Sequence, residues 1–183
     1  LHLCSHNLEK MGTTKIDNTH KLLAEVCMAA KFEGESISQN HGKHHTDGSG
    51  STICTVLARS FADIGDIIRG KDLFLGNTHE SAQRIILDNN LKTIFDKIKK
   101  SDEKLTSLKD EQIREYWWAL NRQDVWKAIT CDAHEGDTYF RQTCNYEGTS
   151  SNANYKCRCK KNDGKNETDQ VPTYFDYVPQ YLR

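Results

Sequence analysis

Seven cysteines stand in this chain of 183 residues, at positions 4, 27, 54, 131, 144, 157 and 159. That is too many for incidental core use, and in an oxidising compartment it reads as a disulfide framework with one sulfur left over. Cys157 and Cys159 are separated by a single residue, and a ring that small would be strained, so each reaches elsewhere. Cys54 opens one long helical stretch, Cys131 closes another, Cys27 falls on the apolar side of the first, and Cys144 lies in a late loop. One layout joins Cys27 to Cys131 and gives Cys54 and Cys144 one each of Cys157 and Cys159, with Cys4 unpaired in this segment. Cys54 with Cys131 competes with it on spacing alone. Each such bridge is worth on the order of 3–4 kcal/mol in the chain-entropy account. Zinc is the rival use of these cysteines, but Cys157-x-Cys159 has no second ligand pair downstream, and His41, His44 and His45 lie in a Gly/Ser-rich stretch. No metal and no cofactor are assigned.

The patterning between the cysteines is helical. Ile16, Leu22, Leu23, Val26, Cys27, Ala30 and Phe32 form one apolar stripe over Lys15 to Phe32. The polar run from Glu33 to Ser51 then reads as a solvated loop. Ile53, Leu57, Phe61, Ile64 and Ile68 form a seam that can face another helix. Gly65 interrupts that seam at about 1 kcal/mol relative to alanine, which suggests a bend or a close helix approach. A third helix is expected from Glu80 to Lys100, with Leu87, Leu91, Ile94 and Ile98 as its stripe and Ile86 and Phe95 widening it. Ser107 to Asp110 resembles a capping box for the next helix. That helix carries Ile113, Tyr116, Trp117, Leu120 and Asp124 on one side and Trp118, Val125, Trp126 and Ile129 on another, so it is expected to be the most enclosed. Beyond Cys131 the chain reads as loop to about Gln170. Pro179 suits the first position of a further helix that this segment cuts short.

Composition excludes several functions. Hydrophobic residues make up 36% and charged residues 28%, and no window approaches the roughly 20 apolar residues that span a bilayer. Leu1 to His6 has neither the charged nor the apolar region of a signal peptide. A formal net charge of -1 removes the global positive field expected of a nucleic-acid binder. No nucleophile elbow, phosphate loop or His-Glu-x-x-His zinc helix is present, so no catalytic residue is assigned and an enzyme is not expected.

Three long blocks resemble a known family. They are Ala58–Phe74 (ARSFADIGDIIRGKDLF), Tyr116–Arg122 with Val125–Cys131 (YWWALNR, VWKAITC), and Pro172–Arg183 (PTYFDYVPQYLR). Leu1–Cys4 and Leu22–Cys27 look like its upstream blocks. The chain is similar to the alpha-type Duffy-binding-like domain of the Plasmodium falciparum erythrocyte membrane protein 1 family. The resemblance implies an all-α, disulfide-braced helical bundle, here a partial domain with long loops. Residues 1–50 would be the end of a first subdomain with a polar loop, 51–178 a second, bundled subdomain, and 179–183 the start of a truncated third. The partner of Cys4 would then precede Leu1. Cys131, Cys144, Cys157 and Cys159 resemble the family's four-cysteine form.

The resemblance further implies a variant surface antigen exposed on the extracellular face of the infected erythrocyte. Its partners would be a host cell-surface receptor or glycan, adjacent domains of the same polypeptide and antibodies, without membrane contact by this segment. Complement receptor 1, heparan sulfate and blood-group sugars are the expected ligands, in rosetting or cytoadherence. The blocks themselves read as core, which leaves binding to loops and exposed helix faces. Two basic clusters suit a sulfated glycan: Lys97, Lys99 and Lys100 with Lys92 and Lys104, and Lys156, Arg158, Lys160, Lys161 and Lys165. Asp96, Asp102, Glu103, Asp163 and Glu167 dilute both. Asn166-Glu167-Thr168 is an N-glycosylation pattern and marks exposed chain.

Overall fold

The computed structural model describes residues 8, 12–13, 15–44, 52–73, 78–137, 139, 142–146, 149–153, 155–159 and 171–183. Its helices are α1 (Thr19–His44), α2 (Ile53–Arg69), α3 (Thr78–Ser101) and α4 (Asp110–Ile129). Short 3-10 turns occupy Glu103–Leu105, Phe175–Tyr177 and Gln180–Leu182. A small antiparallel hairpin pairs β1 (Cys144–Tyr146) with β2 (Thr149–Ser151), Cys144 opposite Ser151 and Tyr146 opposite Thr149. The all-α, disulfide-braced bundle expected from the sequence is the observed architecture.

Two glycines decide how the helices meet. An added Cβ at Gly65 would lie 2.7 Å from Cζ2 of Trp118, so the glycine in the α2 seam is there for close approach to α4. At Gly34 an added Cβ would lie 1.9 Å from the carbonyl oxygen of Ile129, which brings α1 equally close to the end of α4. That contact explains why α1 does not stop at Phe32. Glu33 is buried and its Oε1 accepts a hydrogen bond from Ser60 Oγ on α2 at 2.7 Å. The stretch read as loop from residue 33 is therefore helical through His44, held by tertiary contacts that local polarity does not reveal. Gly70 closes α2 in the left-handed region at φ 72°, a conformation glycine adopts without a Cβ penalty.

The core is one continuous cluster running from Leu22 and Val26 on α1 through Phe61 and Ile64 on α2 to Leu91 and Ile94 on α3. All three tryptophans are buried, Trp118 and Trp126 completely. Phe61 sits between those two, with its ring centroid 5.1 Å from each, so the seam of α2 closes on the aromatic row of α4. Two expectations for these helices need correction. Tyr116 and Leu120 are 54% and 81% exposed, so one side of α4 faces outward rather than being enclosed, and Ile86 is also exposed. The α4 cap also begins later than Ser107: Lys109 is the N-cap, and its N–H donates to Gln112 Oε1 at 2.9 Å.

The disulfides are Cys54–Cys157 and Cys144–Cys159. Spacing left the choice between Cys157 and Cys159 open, and the fold makes it. The expected bridge between Cys27 and Cys131 does not form, and both are free thiols. Cys27 is half-buried on α1 and Cys131 is exposed past the end of α4. That helix end is covered instead by the turn carrying Cys157, through Lys156 on the Cys131 carbonyl and Arg158 on Thr130 Oγ1. The alternative pairing of Cys54 with Cys131 is likewise absent, and Cys4 lies outside the described residues.

Two outcomes follow. Gly34→Ala should destabilise the fold by about 2 kcal/mol or more in urea unfolding, despite the roughly 1 kcal/mol an open helical site gains from that exchange. An unchanged midpoint would contradict the α1–α4 approach. Burial, with a smaller effect from Asp124, pushes the Cys27 thiol up to about 11. Alkylation of Cys27 at about pH 8 should then run on the order of a hundredfold slower than in the unfolded chain, where a thiol titrates near 8.5. A mass-spectrometric time course measures it.

Candidate functional site

The segment 171–183 is fastened across α2 and α4 by charge. Asp176 is fully buried at the centre of this fastening. Its Oδ2 accepts from Trp118 Nε1 at 2.9 Å and Arg122 Nε at 2.7 Å, and its Oδ1 accepts from Arg122 Nη2 at 2.8 Å. The same Nη2 donates to the carbonyl of Thr173 at 3.0 Å. Arg69, also buried, donates through Nη2 to the Asp176 carbonyl and, at 3.0 Å, to Asp66 Oδ1. Asp66 in turn holds Arg183, whose Nη1 reaches Asp63 Oδ1 at 3.1 Å and whose Nε donates to the Val178 carbonyl at 3.0 Å. Buried charges persist when every partner is present, and here each guanidinium meets carboxylate and carbonyl together.

Above this network lies an exposed aromatic surface. Arg122 lies under the rings of Tyr174 and Tyr177 at 5.5 and 5.2 Å, and Arg69 lies 5.3 Å from the Tyr177 centroid. Tyr174 is 67% exposed, and Tyr181, Leu182 and Leu73 are exposed as well. The family-like blocks read as core in the sequence, and in Pro172–Arg183 the rings of Tyr174, Tyr177 and Tyr181 are instead exposed. The available signal was four aromatics within Thr173–Tyr181, more than one short segment between prolines can turn inward.

The basic clusters divide by what their charges already do. On α3, Lys100 pairs with Asp96 at 2.7 Å, Lys99 with Asp110 at 3.1 Å and Lys92 with Asp88 at 2.7 Å, while Lys97 Nζ donates to the Thr13 carbonyl. In the second cluster Arg158 is buried over the end of α4, donating to Thr130 Oγ1 at 3.0 Å and to the Lys127 carbonyl at 3.2 Å. It holds that helix end, where carbonyls lack intrahelical donors. Lys156 is half-buried, and its Nζ donates to the Cys131 carbonyl at 3.1 Å. Lys160, Lys161, Lys165 and Asn166 lie outside the described residues. Among the described residues no group of three or more His, Cys, Asp or Glu side chains could hold a metal ion, and no helix is long and apolar enough to cross a membrane.

Comparison with known proteins places the geometry among its relatives. The family model for the Duffy binding domain matches residues 1–183. The solved NTS-DBL1(alpha-1) domain of the Plasmodium falciparum membrane protein 1 (PfEMP1) from the varO strain is 37% identical, with a TM-score of 0.77 over 99% of this chain and 40% of that one. The ICAM-1-binding DBLbeta domain of PfEMP1 IT4var13 is 29% identical, with a TM-score of 0.67 over 99% of this chain and 39% of that one. The Duffy receptor gamma form of Plasmodium knowlesi is 28% identical over 92 residues, half of this chain and 7% of the receptor. The chain thus spans less than half the length of each relative.

The network also sets a pH response. Burial raises the Asp63 carboxyl to about 6 against the pull of Arg183, and burial likewise raises Asp66. A raised carboxylate favours the folded state when protonated, so this contribution is full below about pH 4 and is lost as pH rises through about 6. Asp63→Asn should therefore gain stability relative to the wild type between pH 4 and pH 7 in urea unfolding. A constant difference across that range would refute the raised value.

Proposed function

Because this chain belongs to the Duffy binding domain family, we propose that it is part of a host-receptor-binding adhesion module of a variant surface antigen on infected red cells. The observation that carries this reading is the whole-chain match to solved PfEMP1 domains, one of them solved bound to ICAM-1. The division of the molecule supports it. Phe61, Ile64, Trp117, Trp126 and Ile129 are interior, so variation compatible with the fold is confined to the outer skin. Such a skin decides partner and antibody recognition without disturbing the bundle.

Within this reading the ligand is a host receptor or glycan met in rosetting or cytoadherence. Complement receptor 1, heparan sulfate and blood-group sugars are the classes to test, and the module works beside adjacent domains of its polypeptide, on the extracellular face of the erythrocyte membrane. For sulfated glycan the segment Lys156–Lys165 is the better of the two clusters. Among the described residues Lys156 is held by the Cys131 carbonyl and not by an acid. Lys160, Lys161 and Lys165 follow the bridged Cys159 in sequence, so part of the cost of ordering them is already met. The α3 lysines are the poorer choice because acids already hold Lys99 and Lys100, while Lys97 is held by a carbonyl as Lys156 is. That same neutralisation favours a second reading, a scaffold that presents neighbouring domains and has no ligand of its own.

Heparin retention separates the two. The adhesion reading expects salt-sensitive retention that falls to a lower eluting salt when Lys156, Lys160, Lys161 and Lys165 are changed together to Gln. Absent retention, or retention indifferent to salt and to those changes, removes the sulfated-glycan version. Screening against protein receptors, with Tyr174→Ala and Leu120→Ala as surface variants, then decides between a protein ligand and the scaffold.

A further inference from the structure

We propose that Cys131 is an exchange partner for the disulfide between Cys54 and Cys157, so that the turn carrying Cys157 can be fastened either to α2 or to the end of α4. Three observations meet at this place. Cys131 is a free, exposed thiol directly after α4. The turn that carries Cys157 lies over the same helix end: Lys156 donates to the Cys131 carbonyl at 3.1 Å, Arg158 to Thr130 Oγ1 at 3.0 Å, and Trp126 Nε1 to the Cys157 carbonyl at 3.3 Å. The turn is also strained, because Lys156 and Cys157 both hold positive φ, at 49° and 57°. Two consecutive non-glycine residues in that region are unfavourable and persist only where neighbours enforce them. Here the enforcing contacts are the bridge to Cys54 on one side and the anchoring of Arg158 on α4 on the other.

The chemistry needs no external oxidant. The Cys131 thiolate, its proton lost to solvent, attacks Sγ of Cys157. The Cys131–Cys157 bond forms as the Cys54–Cys157 bond breaks, and the electron pair leaves on the Cys54 sulfur, which takes up a proton. The count of disulfides and thiols is unchanged. Cys54 and Cys157 are both fully buried, so the strained turn must open before attack, and opening it while Arg158 stays anchored keeps Cys157 at the end of α4. Cys27 serves as an internal control. It is half-buried on α1, and burial holds its thiol in the protonated form.

The test is non-reducing peptide mapping of the 183-residue chain after native incubation at about pH 8.5, near the ordinary thiol pKa, with acid quench and alkylation. The expected result is a Cys131–Cys157 linked peptide accumulating with a roughly equal amount of alkylated Cys54, while the helical circular-dichroism signal persists. Cys131→Ser should hold the Cys54–Cys157 peptide intact over the same time, and Cys27→Ser should leave the exchange unchanged. The proposal is overturned if Cys54 stays protected in the wild type, if it is released equally in Cys131→Ser, or if the linked product is Cys131–Cys159.

Discussion

Everything in the arrangement of α2, α4 and segment 171–183 depends on the carboxylate of Asp176 being sealed among its donors. It satisfies the indole N–H of Trp118 and two guanidinium nitrogens of Arg122 at once. Remove the anion and an indole donor and an arginine are left without partners in the interior, a defect that commonly costs several kcal/mol. The carboxylate therefore specifies geometry more than it supplies net stability. It forces Trp118 to present its ring edge to Gly65 and forces Arg122 up beneath the tyrosines. The exposed aromatic surface is thus positioned from below by ionic contacts, rather than by packing against other apolar groups.

The disulfides act where that network does not reach. Between α4 and segment 171–183 the described chain has a short hairpin and isolated bridges for regular structure. Cys54–Cys157 ties this region to the first turn of α2, and Cys144–Cys159 closes it on itself. Arg158 completes the attachment by donating to the Lys127 carbonyl and to Thr130 Oγ1 at the end of α4. A residue that reads as surface charge in the sequence is in fact a helix-end clamp.

How much of this was legible follows from the range of each force. The seams of α2 and α3, the burial of the tryptophan row and the close approach at Gly65 depend on local periodicity and residue size, and they were readable. The extension of α1 through Glu33 and Gly34 was not, because its cause is a hydrogen bond to Ser60 and contact with Ile129, both distant in sequence. The unformed bridge between Cys27 and Cys131 has a related cause: spacing does not say which segment covers the end of α4, and contacts from Lys156 and Arg158, distant in sequence, decide it. The tyrosine surface was hidden by a different effect. Sequence blocks typical of a family were equated with interior, although Pro172–Arg183 contains both the most buried carboxylate of the network and its most exposed rings.

The bridge between Cys54 and Cys157 has a mechanical consequence. Its two ends are 103 residues apart, so a pull applied to the chain on either side of them travels through the sulfur–sulfur bond and bypasses α2, α3, α4 and the hairpin. Unravelled, that span would release about 350 Å of contour at roughly 3.4 Å per residue. With the bond in place none of that length can pay out, however large the tension on the chain.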